Sequence, residues 1–136
     1  MSTTVTLEKA KQMAEGALAK ARELKISISV AVVDGGGHLK LLYRMENIGF
    51  FTAKMAEVKA NSAIAFQRDT ELLEERFAHR QLLAGAFTPI SQGTVVVSMG
   101  GVLVRHADEI IGAVGVSGGT GEQDVECARA GAACFQ

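Results

Sequence analysis

The sequence predicts an α/β protein in which helices cover the faces of a five-stranded antiparallel sheet. Some segments have apolar residues at helical spacing. Others have apolar residues that alternate or form a continuous run, as in strands. The two kinds of segment are interspersed along the chain, which is typical of a protein with both helices and strands. The strand-like segments are joined by short glycine-rich or polar turns, and such strands usually pair with their neighbours. A chain of 136 residues, 48% of them hydrophobic, is long enough for one core, so we expect residues 1–136 to form a single domain.

The N-terminal third reads as a helix followed by a hairpin. Residues 6–24 have an apolar face made mostly of alanine, and Thr6 is the expected N-cap. Residues 26–33 switch to the period of two that a strand requires. The glycine turn at 34–37 then leads into a return strand at 38–44.

The middle of the chain is predicted to be helical. Residues 53–66 form the second helix, with Thr52 as its expected cap. A charged segment at 70–83 has helical spacing and most simply presents a solvated face. Proline and glycine at 88–93 indicate a loop.

Three short strands and a helix are expected to complete the chain. The strands are 95–99, 102–106 and 110–117, joined by tight turns, and the helix runs from about residue 122 to the end. With the hairpin strands they make up the five expected strands.

Charge and composition exclude several classes of function. The net charge is −1 and no basic stripe appears, so nucleic acid is not an expected partner. No run of 18 apolar residues is present and the N-terminus lacks a signal-peptide core, so we expect a cytoplasmic protein that does not span a membrane. Cys127 and Cys134 lie seven residues apart in one predicted helix, too far for a disulfide, so both should be reduced.

The bend after the last strand is the strongest candidate for a ligand site. Ser117, Gly118 and Gly119 form a turn, and Thr120 and Gln123 have the spacing of a capping box. Such a bend directs free backbone N–H groups and a helix dipole at one point, which suits a carboxylate or phosphate. The alternative is a well-capped turn with no ligand. Glycines inside the preceding strand indicate that another backbone or a ligand comes close.

Charged and aromatic residues elsewhere could complete that site. Lys59 lies on the alanine-rich stripe of the second helix, so it either extends outward or has a fixed anionic partner. Arg44 could hold a carboxylate, and Phe66 could contribute an apolar wall. Glu46 and Asp124 are the candidate catalytic bases, with a surface ion pair and a helix-dipole contact as their structural alternatives.

Three histidines are candidate iron ligands, and they show no metal-ligand spacing. His38 follows the glycine turn and is the foremost of them, whereas His79 lies in the charged segment and His106 at a strand end. The sequence therefore predicts no multi-residue metal site.

Several motifs together resemble one known family. They are Val32–Leu39 (VVDGGGHL), Arg44–Glu46, Ala56–Ala60 with Phe66, and Gly112–Thr120 (GAVGVSGGT) followed by Gln123-Asp124. In these the chain resembles the GlcG/HbpS family, which also occurs as the C-terminal domain of PduO-type proteins. Members commonly carry a Gly-Gly-x-Pro stretch where this sequence reads Ser91–Thr94.

The resemblance implies a profilin-like arrangement of α/β/α layers and a homo-oligomer, often an octamer. It also implies haem or another tetrapyrrole as a ligand in some members. Our first hypothesis is therefore an accessory protein that binds haem or a small carboxylate. The alternatives are an enzyme that acts on a small carboxylate or an aromatic breakdown product, and an oligomeric scaffold without pocket chemistry.

Overall fold

The structure is a computed structural model that describes residues 4–135. Within these residues the elements in chain order are α1 (Leu7–Leu24), β1 (Ser29–Asp34), β2 (Leu39–Arg44), α2 (Phe51–Phe66), α3 (Thr70–Arg76), α4 (Gln81–Ile90), β3 (Gly101–His106), β4 (Glu109–Ser117) and α5 (Gly121–Ala133).

One antiparallel sheet of four strands, in the order β2-β1-β4-β3, lies at the centre of the fold. Helices α1 and α5 pack together over one face, and α2 lies on the other. The predicted α/β class with an antiparallel sheet is confirmed. The predicted number of five strands is wrong.

The missing strand is the segment 95–99, which is extended but pairs with no other strand. Its backbone groups are bonded by side chains instead. The N–H of Val96 donates to Ser62 Oγ at 2.8 Å, and the N–H of Met99 donates to Glu74 Oε2 at 2.6 Å. Because side chains already bond these partly buried amides, the segment does not need a ladder partner.

The alternation predicted for the first strand is confirmed, although β1 begins at Ser29 rather than at residue 26. Val30 and Val32 pack beneath α1 and α5, whereas Val33 packs beneath α2. Each face of the sheet is therefore covered, and the strand is buried on both sides as a central strand should be.

The caps of the first and last helices are also confirmed. Thr6 Oγ1 accepts the N–H of Lys9 at 3.1 Å, and Thr120 with Gln123 forms a complete capping box. The second helix differs, since α2 begins at Phe51 and Thr52 does not cap it. The Thr52 hydroxyl instead donates to the Gly49 carbonyl at 2.8 Å.

The charged segment and the predicted loop after it form two helices. Helix α3 ends at Arg76, and α4 continues through the position where Pro89 indicated a loop. Pro89 stands in the last turn of α4, where its missing N–H removes only one helical bond near the end of the helix.

The two cysteines are free, as expected, and burial raises the pKa of the Cys127 thiol to about 11. Within residues 4–135, no helix combines the length and the apolar character needed to cross a membrane.

Candidate functional site

The bend between β4 and α5 is held tightly by the chain beneath it. Gly118 has a φ of +138°, and a Cβ there would lie 2.5 Å from the Ser27 carbonyl oxygen. A Cβ on Gly119 would meet the Gln123 side chain at 2.8 Å. Glycine is required at Gly118, because its φ is positive and the contacting atoms belong to the backbone, whereas the contacts at Gly119 are with side chains that can move.

A buried ion pair lies directly under the bend. Lys59 Nζ, on α2, is 3.0 Å from Asp124 Oδ2, on α5, and donates to the Val116 carbonyl at 3.0 Å. Each of the two side chains is 4% exposed. Burial raises the pKa of the Asp124 carboxyl, and the nearby Lys59 charge and the N–H of Gly119 oppose that rise. The ion pair thus connects α2 and α5, which pack on opposite faces of the sheet.

The N–H groups of the bend are bonded to the protein's own side chains. Asp124 Oδ1 accepts the N–H of Gly119 at 2.8 Å, and Gln123 Oε1 accepts the N–H of Thr120 at 2.9 Å. A carboxylate from α5 therefore occupies the position that an anionic ligand would take. The binding role of Ser117–Thr120 and Lys59 remains a prediction, and these contacts argue against it.

Arg44 and Glu46 lie away from this ion pair. In the register of the sheet Arg44 and Ser117 both pair with Ser29, so β1 separates them. The Arg44 guanidinium donates to the Ile48 carbonyl at 3.0 Å. Glu46 is exposed and lines a cavity of about 340 Å³ on the α1 side of the β2 edge. The structure thus brings Lys59 and Asp124 together at the bend but leaves Arg44 and Glu46 outside it.

The three histidines occupy separate places. The His38 ring is 3.2 Å from Asp34 Oδ1 through Nδ1, which directs Nε2 toward solvent. His79 is exposed between α3 and α4, and His106 packs edge-on against Phe135. Among residues 4–135, no group of three His, Cys, Asp or Glu side chains is placed to hold a metal ion.

Asp34 organises the hairpin turn at which His38 stands. Desolvation would raise the pKa of its carboxyl. The backbone N–H groups of His38 and Gly36, each 3.0 Å from Oδ1, stabilise the charged carboxylate, and the His38 ring adds to this. Together they outweigh desolvation, so the pKa of Asp34 lies below the usual range.

Phe66 belongs to an aromatic cluster that the sequence did not reveal. Its ring centroid lies 6.1 Å from that of Phe77 and 5.3 Å from that of Phe87, and Phe77 and Phe87 are 5.2 Å apart. These separations are typical of favourable aromatic pairs. The cluster ties α2 to α3 and α4, well apart from the Lys59 ion pair.

A cleft with a volume of about 560 Å³ lies beside this cluster. We call it the α3–α4 cleft. Its walls come from α3, from one face of α4 and from the extended segment: Glu74, Phe77, Ala78, Gln81, Ala84, Gly85, Thr88, Val96 and Val97. The α4 residues recur at helical spacing from Gln81 to Thr88, a signal that was present in the sequence but fell partly on the predicted loop.

A smaller cavity of about 170 Å³ shares Phe77 with the cleft and has two arginines in its lining, Arg68 and Arg76. Arg76 also lies over the Phe77 ring, with its guanidinium carbon 5.7 Å from the centroid. The cleft, whose lining mixes apolar side chains with Glu74, Gln81 and Thr88, therefore has cationic groups near it that could pair with the carboxylates of a ligand.

The layered sheet and this cleft define a three-layer α/β protein with a ligand-sized cavity outside its core. The chain matches the model of the family described as "Haem degrading protein HbpS-like" over residues 5–133, and it belongs to that family.

Named relatives agree with this assignment. The chain is 38% identical over 122 residues to Protein GlcG of Escherichia coli (strain K12), covering 86% of this chain and 85% of that protein. It is 35% identical over 132 residues to an uncharacterized 15.0 kDa protein from the dhaT-dhaS intergenic region of Citrobacter freundii, covering 97% of this chain and 92% of that one. A solved PduOC:heme complex superposes with a TM-score of 0.87 at 27% identity, covering 97% of this chain and 95% of the other.

Proposed function

We propose that the chain binds a haem-class tetrapyrrole, and that the ligand occupies the α3–α4 cleft. The family description and the haem complex of a structural relative support the class of ligand. The observation that carries the location is the cleft itself. Its volume of about 560 Å³ falls inside the range of about 300–1,000 Å³ that small-molecule sites occupy.

The residues around the cleft fit such a ligand in two respects. Phe77, Ala84 and Val96 offer apolar surface to a macrocycle. Arg68 and Arg76 lie around the adjoining cavity and could pair with its carboxylates. The proposed site thus differs from the one predicted at the bend, and it includes Phe77, an aromatic neighbour of Phe66.

The described residues that line the cleft do not include a ligand for the haem iron. Bound haem supplies a redox-active iron, which proteins usually hold through histidine, cysteine, methionine or tyrosine. None of these four residue types is among the described residues that line the cleft. His79 follows the lining residue Ala78 and is exposed, so we propose that His79, rather than His38, would hold the iron.

We expect Gly85→Leu to weaken hemin binding by about tenfold or more, a change of about 1.4 kcal/mol. Gly85 lines the cleft, and a Cβ there would meet no atom within 4 Å, so the leucine side chain would fill the cavity without straining the fold. The measurement is a titration with hemin followed by the Soret band. The matched control is Gly49→Leu, since Gly49 has equally open space but lies outside the cleft.

Two outcomes would count against the proposal in different ways. If the wild-type response failed to saturate, the chain would not be a haem-binding protein. If Gly85→Leu bound hemin like the wild type, haem would bind elsewhere. His79→Ala should move the Soret maximum while leaving the fold intact, and an unmoved maximum would remove His79 as the ligand.

The two candidate catalytic bases, both among the described residues, are not placed to act on a substrate. Asp124 is buried and bonded to Lys59, so it cannot act as a base on an incoming substrate in this arrangement. Glu46 is exposed without an acidic or basic partner at hydrogen-bonding distance.

We further propose that α4 packs against a second copy of the chain. None of its residues is buried, and Leu82 is 93% exposed and Ile90 76% exposed. An apolar helix left this open is unusual in a monomer. This supports the expected homo-oligomer, with the cleft on one face of α4 and the contact on the other.

Leu82→Glu should therefore reduce the mass of the assembly in light scattering behind gel filtration, because a buried carboxylate without a partner would destabilise the contact. Leu7→Glu is the matched control, since Leu7 is 48% exposed at the first turn of α1, where a negative charge is tolerated. An unchanged mass for Leu82→Glu, or a monomeric wild type, would contradict the proposal.

A further inference from the structure

The cavity of about 340 Å³ between α1 and the edge strand β2 is lined by four charged side chains. We call it the α1–β2 cavity. Glu15 and Arg22 come from α1, Arg44 ends β2, and Glu46 follows shortly after the strand. The haem proposal uses none of these residues, so this cavity can be tested independently of it.

Each wall of the cavity carries one positive and one negative charge. Glu15 and Arg22 stand seven residues apart on α1, which places them on the same side of the helix, about 10.5 Å apart along its axis. On the facing wall, one residue separates Arg44 from Glu46. The lining is therefore neutral overall, and a ligand with a single charge would meet repelling groups as well as attracting ones.

The chain itself does not neutralise these four charges. Within residues 4–135, no ion pair includes any of them. The Arg44 guanidinium donates one N–H to the Ile48 carbonyl at 3.0 Å, which helps to fix its position and uses only one of its five donors. All four residues are exposed, so a ligand can reach their charged ends. Two guanidinium groups and two carboxylates are thus available to a ligand in one cavity.

The rest of the lining is mainly apolar. Leu18 is buried, and Leu42, Tyr43 and Met45 are half-buried. Met45 Sδ accepts the N–H of Ile28 at 3.3 Å, which holds this side chain against the sheet. Leucine, tyrosine and methionine side chains give an apolar group of a ligand a surface to pack on.

We infer that the α1–β2 cavity binds a small zwitterion with an apolar side chain, of the α-amino acid class. Arg22 and Arg44 bind its carboxylate, and Glu15 and Glu46 bind its ammonium group. Its side chain packs on the apolar part of the lining. The volume of about 340 Å³ lies at the lower end of the range of about 300–1,000 Å³ that small-molecule sites occupy, as a ligand of this size requires.

The test compares L-leucine with two probes that each lack one of its charges. Leucinamide has no carboxylate, and isocaproate has no ammonium group. With ¹⁵N-labelled protein, L-leucine should cause saturable shifts of the Tyr43 and Met45 amide signals, with a dissociation constant on the order of 1 mM for so small a ligand. Each of the other two probes should bind about fivefold more weakly, since it forgoes one kind of partly exposed ion pair.

Two variants on α1 distinguish the roles of the charges. Arg22→Gln should weaken L-leucine binding by about fivefold and leave leucinamide binding no weaker, whereas Glu15→Gln should weaken L-leucine binding and leave isocaproate binding no weaker. Glutamine is a good helix former, so neither change should disturb α1. Lys11→Gln is the matched control, because it removes an exposed charge of α1 outside the cavity, and it should bind L-leucine like the wild type.

Gly85→Leu should also leave L-leucine binding unchanged, so a failure of the haem proposal would not affect this result. Shifts that fail to saturate, equal affinity for the three probes, or L-leucine binding that neither α1 variant weakens would each overturn the inference. The four charged side chains would then be solvated surface groups.

Discussion

Replacing Lys59 by methionine is expected to lower the free energy of unfolding by about 3–5 kcal/mol. The change leaves the Asp124 carboxylate buried without its cation and removes the donor to the Val116 carbonyl. Since Asp124 is 4% exposed, solvent cannot compensate for the loss. The measurement is equilibrium unfolding in urea at neutral pH, with far-UV circular dichroism to confirm that the variant folds.

The double variant Lys59→Met, Asp124→Leu is the matched control. Removing both charges replaces the ion pair by apolar groups, which is often neutral or stabilising, so the double variant should recover much of the loss. A single variant that costs less than about 1 kcal/mol would mean that the pair contributes as little as an exposed one. A double variant that is no more stable than the single would show that the side chains act independently.

Gly115→Ala is expected to destabilise the protein by at least the upper end of the ~1–3 kcal/mol typical of overpacking. An added Cβ would lie 2.0 Å from the Ala56 carbonyl oxygen and 2.7 Å from the Ala60 backbone nitrogen. Both atoms belong to the backbone of α2, so no side-chain rotation can relieve the clash. Urea unfolding measures the loss.

Gly49→Ala provides the comparison, because a Cβ at Gly49 meets nothing within 4 Å. It should change the stability by no more than about 0.5 kcal/mol, the usual range for surface substitutions. If Gly115→Ala proved as mild as Gly49→Ala, α2 would have to lie farther from the sheet than the structure has it.

The local signals of the sequence predicted much of the fold. The caps at Thr6 and Thr120 and the alternation of β1 depend on neighbouring residues only, so they could be read without knowledge of tertiary contacts. The segment 95–99 could not. Its apolar run is typical of a strand, but Ser62 and Glu74 bond its amides, and nothing in the local sequence indicates those distant partners.

The candidate site was harder to predict for the same reason. Glycines in β4 indicated a close approach by a backbone or a ligand, and at Gly115 the approaching group is the backbone of α2. The position of Lys59 on a buried stripe left two alternatives, and the structure gives it an anionic partner 65 residues away. The aromatic cluster beside the α3–α4 cleft brings together Phe66 of α2, Phe77 at the end of α3 and Phe87 of α4, which periodicity within each helix cannot show.

The pairing of Gly101 with Gly115 across β3 and β4 limits how the protein can change. A Cβ on Gly101 would come 2.2 Å from the Lys59 carbonyl oxygen. The backbone of α2 therefore packs directly on the backbone of these two adjacent strands. No substitution on the helix can relieve a clash at these two glycines, because the atoms in contact belong to the backbone of α2. Engineering for a new ligand should therefore leave these two strands and α2 unchanged and vary the residues of the α3–α4 cleft.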